Sequence, residues 1–245
     1  MHLQFVGCGD AFGSGGRFNT CFHVIGETCN FLVDCGASSL IAMKRLGVRP
    51  NEIDVVLITH FHADHFGGIP FFMLDAQFFS KRTRPLIIAG PPGLEACYKR
   101  AMDVAFPGSS GTKPRFDLEL KELNAREPAE IGPLRVKPFA VNHGDVGGPF
   151  FAYRIEAEDR TIAYTGDTEW TDELIEAGRG ADLFIAEAYF REKRVKLHLD
   201  LATLESHLDV IRPKRLVLTH MSDEMLARRG EVAFEAAHDG MVIKL

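Results

Sequence analysis

The amino-acid sequence predicts an α/β fold with strands and helices mixed along the whole chain. Three observations carry that expectation. Short apolar runs of strand length recur from one end to the other, stretches with helical apolar spacing lie between several of them, and turn-rich segments separate the two. A chain with its strands in one part and its helices in another would belong to a different class.

The first apolar run, residues 3–7, is read as a strand. The same reading applies to 31–34, 55–59, 86–89, 134–141, 150–155, 161–165, 183–186, 216–219 and 241–245, each bounded by glycine-rich or polar loops. Helical patterns fill the intervals at 38–46, 69–79, 93–106, 171–176, 201–211 and 223–229. The segment Pro-Gly-Ser-Ser-Gly-Thr-Lys-Pro at 107–114 has the composition of a mobile connection and falls near the middle, where it could divide two halves. An echo accompanies it: Val56-Leu57-Ile58-Thr59-His60 and Leu216-Val217-Leu218-Thr219-His220 both end an apolar run in Thr-His. Duplication would produce it, and so would the general likeness of buried strands.

The chain has 245 residues, 46% of them hydrophobic and 25% charged, so it has the apolar content to bury a core, and disorder is excluded. One domain over residues 1–245 is expected. The formal net charge of −6 supplies no general attraction to phosphate backbones, which argues against an extended nucleic-acid partner. Five cysteines without a Cys-x-x-Cys pair fit reduced core thiols better than a disulfide framework. No basic segment leads into an apolar stretch at the N-terminus, and no window approaches the roughly 18 apolar residues of a membrane helix. A cytoplasmic protein without a membrane partner is the expectation.

Three of the ten histidines fall within six residues, together with an aspartate, in His60-Phe61-His62-Ala63-Asp64-His65 directly after the run 55–59. Imidazole and carboxylate donors are those preferred by zinc and similar ions, and the end of a buried strand is where an α/β fold presents ligands. Four donors packed so closely do not reach one ion comfortably. They divide, with His60 and His62 facing one metal and Asp64 and His65 a second. Further ligands must come from elsewhere. His143, Asp167 and His220 each follow an apolar run in the same way, and the two carboxylate oxygens of Asp167 suit a bridge.

With these residues the sequence resembles the metallo-β-lactamase superfamily, whose signature is matched by Thr59-His60-Phe61-His62-Ala63-Asp64-His65 and then by His143, Asp167 and His220 in order. The resemblance implies a four-layer αβ/βα sandwich of two mixed sheets flanked by helices, with a dinuclear site between the sheets. It assigns His60, His62 and His143 to one ion, Asp64, His65 and His220 to the other, and Asp167 to both. Asp34, in Leu-Val-Asp-Cys-Gly, matches an aspartate that orients a ligand. The chain is closer still to the branch containing RNase Z and the cyclic phosphodiesterase of phosphonate metabolism. Gly7-Cys8-Gly9-Asp10-Ala11 with Arg17-Phe18-Asn19-Thr20, the segment His198-Leu199-Asp200-Leu201, and Phe234 with His238-Asp239-Gly240-Met241 carry that resemblance. It makes His198 a catalytic residue near the substrate.

The departures narrow the function. RNase Z grips tRNA with a long basic arm that is not evident here, where only 107–114 with Lys113 and Arg115 could serve. Asp167 replaces the cysteine of secreted β-lactamases, and His62 replaces the glutamate of the diiron redox branch. The expected function is a metal-dependent phosphodiesterase acting on a small, cyclic or nucleotide-like substrate. Two divalent ions, zinc first and manganese or iron as alternatives, would lower the pKa of a shared water from about 15.7 toward neutrality. Asp64 would orient the resulting hydroxide, and His198 would protonate the leaving oxygen. An RNase Z-like ribonuclease and a thioester or lactone hydrolase use the same chemistry. A non-catalytic, metal-dependent nucleotide-binding protein is the alternative from another class, and a homodimer is compatible with every reading.

Overall fold

A computed structural model describes residues 1–245 and contains two seven-stranded sheets. The strands are β1 (His2–Gly7), β2 (Cys21–Ile25), β3 (Asn30–Val33), β4 (Val55–Leu57), β5 (Leu86–Gly90), β6 (Leu118–Glu122), β7 (Ala129–Ile131), β8 (Leu134–Val141), β9 (Phe150–Ala157), β10 (Arg160–Tyr164), β11 (Leu183–Glu187), β12 (Leu216–Thr219), β13 (Glu235–Ala236) and β14 (Val242–Lys244). The first sheet has the order β14-β1-β2-β3-β4-β5-β6 and the second β13-β12-β11-β10-β9-β8-β7. In each, an antiparallel meander leads into four parallel strands, β3 to β6 and β10 to β13.

The helices are α1 (Ser39–Arg45), α2 (Ala63–Phe66), α3 (Ile69–Leu74), α4 (Leu94–Ala105), α5 (Glu173–Gly178), α6 (Leu201–Glu205), α7 (Leu208–Ile211) and α8 (Asp223–Ala227). Three apolar clusters separate the layers. A cluster of 26 buried residues, among them Phe5, Phe22, Tyr153 and Tyr164, lies between the sheets. A second, with Met43, Phe72 and Leu94, joins the first sheet to α1, α3 and α4, and a third, with Leu174, Leu204 and Met225, joins the second sheet to α5, α6 and α8. This is the four-layer sandwich expected from the sequence. The parallel strands read as continuous apolar runs because both their faces are covered.

Four strands escape a reading by apolar runs. β6 alternates charge along Leu-Glu-Leu-Lys-Glu because it is an edge, β7 and β13 are short edges, and β2 carries His23 inside its apolar run. The connection 107–114 is an excursion between α4 and β6, within the first sheet. The division between the halves falls later, between β6 and β7. The helix expected over 201–211 breaks into α6 and α7, since Ser206 Oγ and His207 Nδ1 both donate to the Thr203 carbonyl at 2.7 and 2.8 Å and compete with the backbone ladder. The helix expected over 69–79 becomes a π-helical turn at Asp75–Phe79. No helix is long and apolar enough to cross a membrane.

Candidate metal centre

The C-terminal ends of β3, β4, β8, β10, β11 and β12 gather at one edge of the sandwich, and each delivers a polar side chain. Asp34 follows β3, and His60 and His62 follow β4. His143 follows β8, Asp167 follows β10, Glu187 ends β11, and His220 follows β12. The loop after β4 turns at once into α2, which places Asp64 and His65 in its first turn and a half. Glycine permits this compact entry: a Cβ on Gly36 would lie 2.1 Å from the Asp64 carbonyl oxygen, and one on Gly68 would lie 2.2 Å from the Gly36 carbonyl oxygen.

Donor atoms of His60, His62 and His143 lie within 4.8 Å of one another, as do those of Asp64, His65, Asp167 and His220. Asp167 Oδ2 stands between the sets, 3.2 Å from His65 Nε2, 3.2 Å from His220 Nε2 and 3.7 Å from His143 Nε2. All seven donors expected from the sequence are therefore brought together.

Hydrogen bonds select which nitrogen faces the centre. His65 Nδ1 donates to Asp34 Oδ2 at 2.7 Å, His143 Nδ1 donates to the Leu197 carbonyl at 2.7 Å, and His60 Nδ1 lies 3.0 Å from Thr59 Oγ1. Asp34 is held in turn by the Thr59 amide at 2.8 Å. Each ring thus turns Nε2 inward. His60 Nε2, His65 Nε2 and Asp167 Oδ1 are buried without a hydrogen-bond partner. Buried polar atoms ordinarily find partners, and unpaired imidazole nitrogens and a carboxylate oxygen converging on one point fit a divalent cation.

The electrostatics agree. Burial alone would depress His220, but Asp167, Asp64 and Glu187 lift it to about 10. His65 is likewise disfavoured by burial, and Asp167, Asp64 and Asp34 carry it well above the ordinary histidine range. His60 moves well below that range through burial and through His65 and His143. For Asp167, burial is outweighed by His220 and His65, which hold its carboxyl well below the usual carboxylate range.

His198 lies beside the centre, its ring 4.9 Å from that of His143 and stacked on Tyr189 at 4.7 Å. Its Nδ1 engages Glu187 Oε1 in a short hydrogen bond. Burial lowers the affinity of His198 for a proton, and Glu187 more than restores it. Glu187 is a residue that sequence reasoning missed. Fully buried, it also lies 3.3 Å from His220 Nδ1 and accepts from the Thr168 amide at 3.0 Å. Its only sequence signal is its place at the end of an apolar run, the position shared by Asp167 and His220.

Two mixed seven-stranded sheets flanked by helices, with this donor cluster at their common edge, define a metal-dependent hydrolase of the metallo-β-lactamase fold. A family profile described as "Anti-Pycsar protein Apyc1" matches residues 1–238, and the chain belongs to that family. It is similar to the Anti-Pycsar protein Apyc1 of Paenibacillus sp. (strain J14), 28% identical over 235 residues that cover 94% of this chain and 93% of the relative. It is also similar to the Ribonuclease Z of Geobacillus kaustophilus (strain HTA426), 26% identical over 290 residues that cover 96% and 92%. Human tRNase Z, short form, superimposes with a TM-score of 0.80 at 24% identity, over 100% of this chain and 99% of that one.

Proposed function

We propose that the chain is a dinuclear metallophosphodiesterase acting on a small, cyclic or nucleotide-like phosphodiester. The observation that carries this reading is the convergence of seven donors from both sheets, four of them with buried unpartnered atoms. In this reading His60, His62 and His143 would hold one divalent ion, Asp64, His65 and His220 would hold the other, and the Asp167 carboxylate, which lies between the two sets, would serve both. Imidazole and carboxylate donors suit zinc, manganese or iron. Such ions supply a water of lowered pKa and neutralise charge on the phosphoryl oxygens.

The chain's own groups do the rest. Asp64 orients the attacking water. His198, whose hold on a proton Glu187 strengthens, gives its proton to the leaving oxygen as the P–O bond breaks, while Glu187 fixes its ring. The alignment with the ribonuclease Z relative runs over 290 positions, more than the 245 residues of this chain, and so opens gaps in it. That with the Apyc1 relative runs over 235.

Metal analysis of the purified protein should find about two equivalents of zinc, manganese or iron per chain. Bis(4-nitrophenyl) phosphate should be hydrolysed in preference to a thioester or a lactone. Asp167→Ala should lose one equivalent of metal together with activity. Full activity in that variant would remove the bridge from the proposal, and nucleotide binding without turnover in metal-loaded protein would favour a non-catalytic binding role.

A further inference from the structure

A cavity of about 350 Å³ opens beside His198, outside the cluster of metal donors. Its lining includes Glu169, Trp170, Arg194, His198, Thr203 and His207. The polar groups along it are largely engaged. The Glu169 carboxylate receives the Asn142 amide and the Leu197 N–H, and Asp200 caps α6 by accepting from the Thr203 amide at 2.8 Å. Two features are left for a ligand. The indole of Trp170 and the imidazole of His207 form a preassembled stack, with centroids 3.6 Å apart and planes 16° apart. His207 is pinned by the Thr203 carbonyl and Trp170 by Asp172. Arg194 is exposed and makes no ion pair, whereas neighbouring Arg191 pairs with Glu192 and Glu231.

An aromatic stack and an unpaired guanidinium lining one cavity suit a flat heterocycle with carbonyl and ring-nitrogen acceptors better than a sugar or an alkyl chain. Its volume is at the small end for ligand pockets, which fits one nucleoside and not an oligonucleotide. His198 joins the two places, since it belongs both to this wall and to the centre. We propose that the cavity is the subsite for the nucleobase on the leaving side of the substrate, with Trp170 as its stacking surface and Arg194 as its hydrogen-bond donor. This rests on the phosphodiesterase reading above. The nucleoside carried by the oxygen that His198 protonates would lie here.

Trp170 is the only tryptophan of the chain, so its fluorescence reports the subsite directly. Titrating metal-free protein with uridine 5′-monophosphate or adenosine 5′-monophosphate should give saturable quenching, and ribose 5-phosphate should give none. Arg194→Ala should weaken the nucleotide response about tenfold. With metal bound, kcat/KM for a nucleoside 3′,5′-cyclic phosphate should exceed that for 1-O-methylribose 3′,5′-cyclic phosphate. Trp170→Ala should reduce this preference about tenfold, mainly through KM, and Trp170→Phe should restore most of it. Quenching by ribose 5-phosphate equal to that by the nucleotides, or an unchanged preference in Trp170→Ala, would overturn the subsite. Quenching without hydrolysis of any phosphodiester would instead overturn the phosphodiesterase reading and leave the subsite standing. Hydrolysis without quenching would do the reverse.

Discussion

His198 and His220 share one buried carboxylate, Glu187, yet the proposal gives the two rings opposite duties. Nε2 of His220 faces Asp64 and Asp167, and its work is to hold an ion. His198 has its Nδ1 on Glu187 and its ring against Tyr189, and its work is to carry a proton. His198→Ala should therefore keep the full metal content while slowing phosphodiester hydrolysis by roughly 10²–10⁴-fold. A nitrophenolate leaves without much protonation, so the loss should be smaller on nitrophenyl esters than on alkyl esters; metal analysis and a leaving-group series read both effects. The metal-free state gives a second expectation. His220 rises from an ordinary 6.5 to about 10, so its folded form binds the proton more tightly than the unfolded chain. The stability this contributes is fully present below pH about 6.5 and is lost as pH rises through about 10. Calorimetry of chelated protein should show Tm falling between pH 7 and 10, and His220→Asn should flatten that slope. Loading the ions must expel the same protons, so uptake should weaken as pH falls. The candidate ligands were legible because metal chemistry demands particular residue types at strand ends. Glu187 was not, because a lone glutamate closing an apolar run looks like any strand terminus.

At the scale of elements, the Thr-His echo between 56–60 and 216–220 acquires a physical explanation. β4 is the first strand added in parallel to the first meander, and its counterpart beside the second meander is β11, whose end carries Glu187; β12 is one position further out. The likeness follows from a shared setting, a fully buried parallel strand ending at the site, and not from equivalent positions. Apolar runs revealed such interior strands and left the charged or very short edges unread. The helix over 201–211 was misjudged because side chains, not propensity, interrupt it. Close backbone approach is equally invisible to periodicity. At Gly36 any side chain would meet the Asp64 carbonyl, so Gly36→Ala should destabilise the fold by about 1–3 kcal/mol, a fall in Tm of roughly 3–10 °C, and should loosen Asp64 and His65. Thermal melts and metal retention test this. An unchanged Tm would mean that the loop shifts freely.

For the whole molecule, the layer order was legible once strands and helices were seen to alternate and the donor motif had been matched. The boundary between halves was not, since the passage between β6 and β7 is short and lacks the turn-rich composition of 107–114. The overall charge of −6 offers a run of phosphates no general attraction. In the proposed reading a precursor tRNA should be cleaved at least about 10²-fold less efficiently than a small phosphodiester. Comparable efficiencies, with a steep loss on adding salt, would restore the ribonuclease reading.

The placement of β14 against β1 has a consequence for biosynthesis. Gln4 pairs with Val242, and the Leu245 amide reaches the Met1 carbonyl at 3.1 Å, so β1 gains its outer partner only after β2 to β13 have been made. Until β14 docks, β1 offers a row of unpaired backbone groups to any other extended chain. Nascent chains are therefore exposed to edge-to-edge association at β1 until β14 pairs with it.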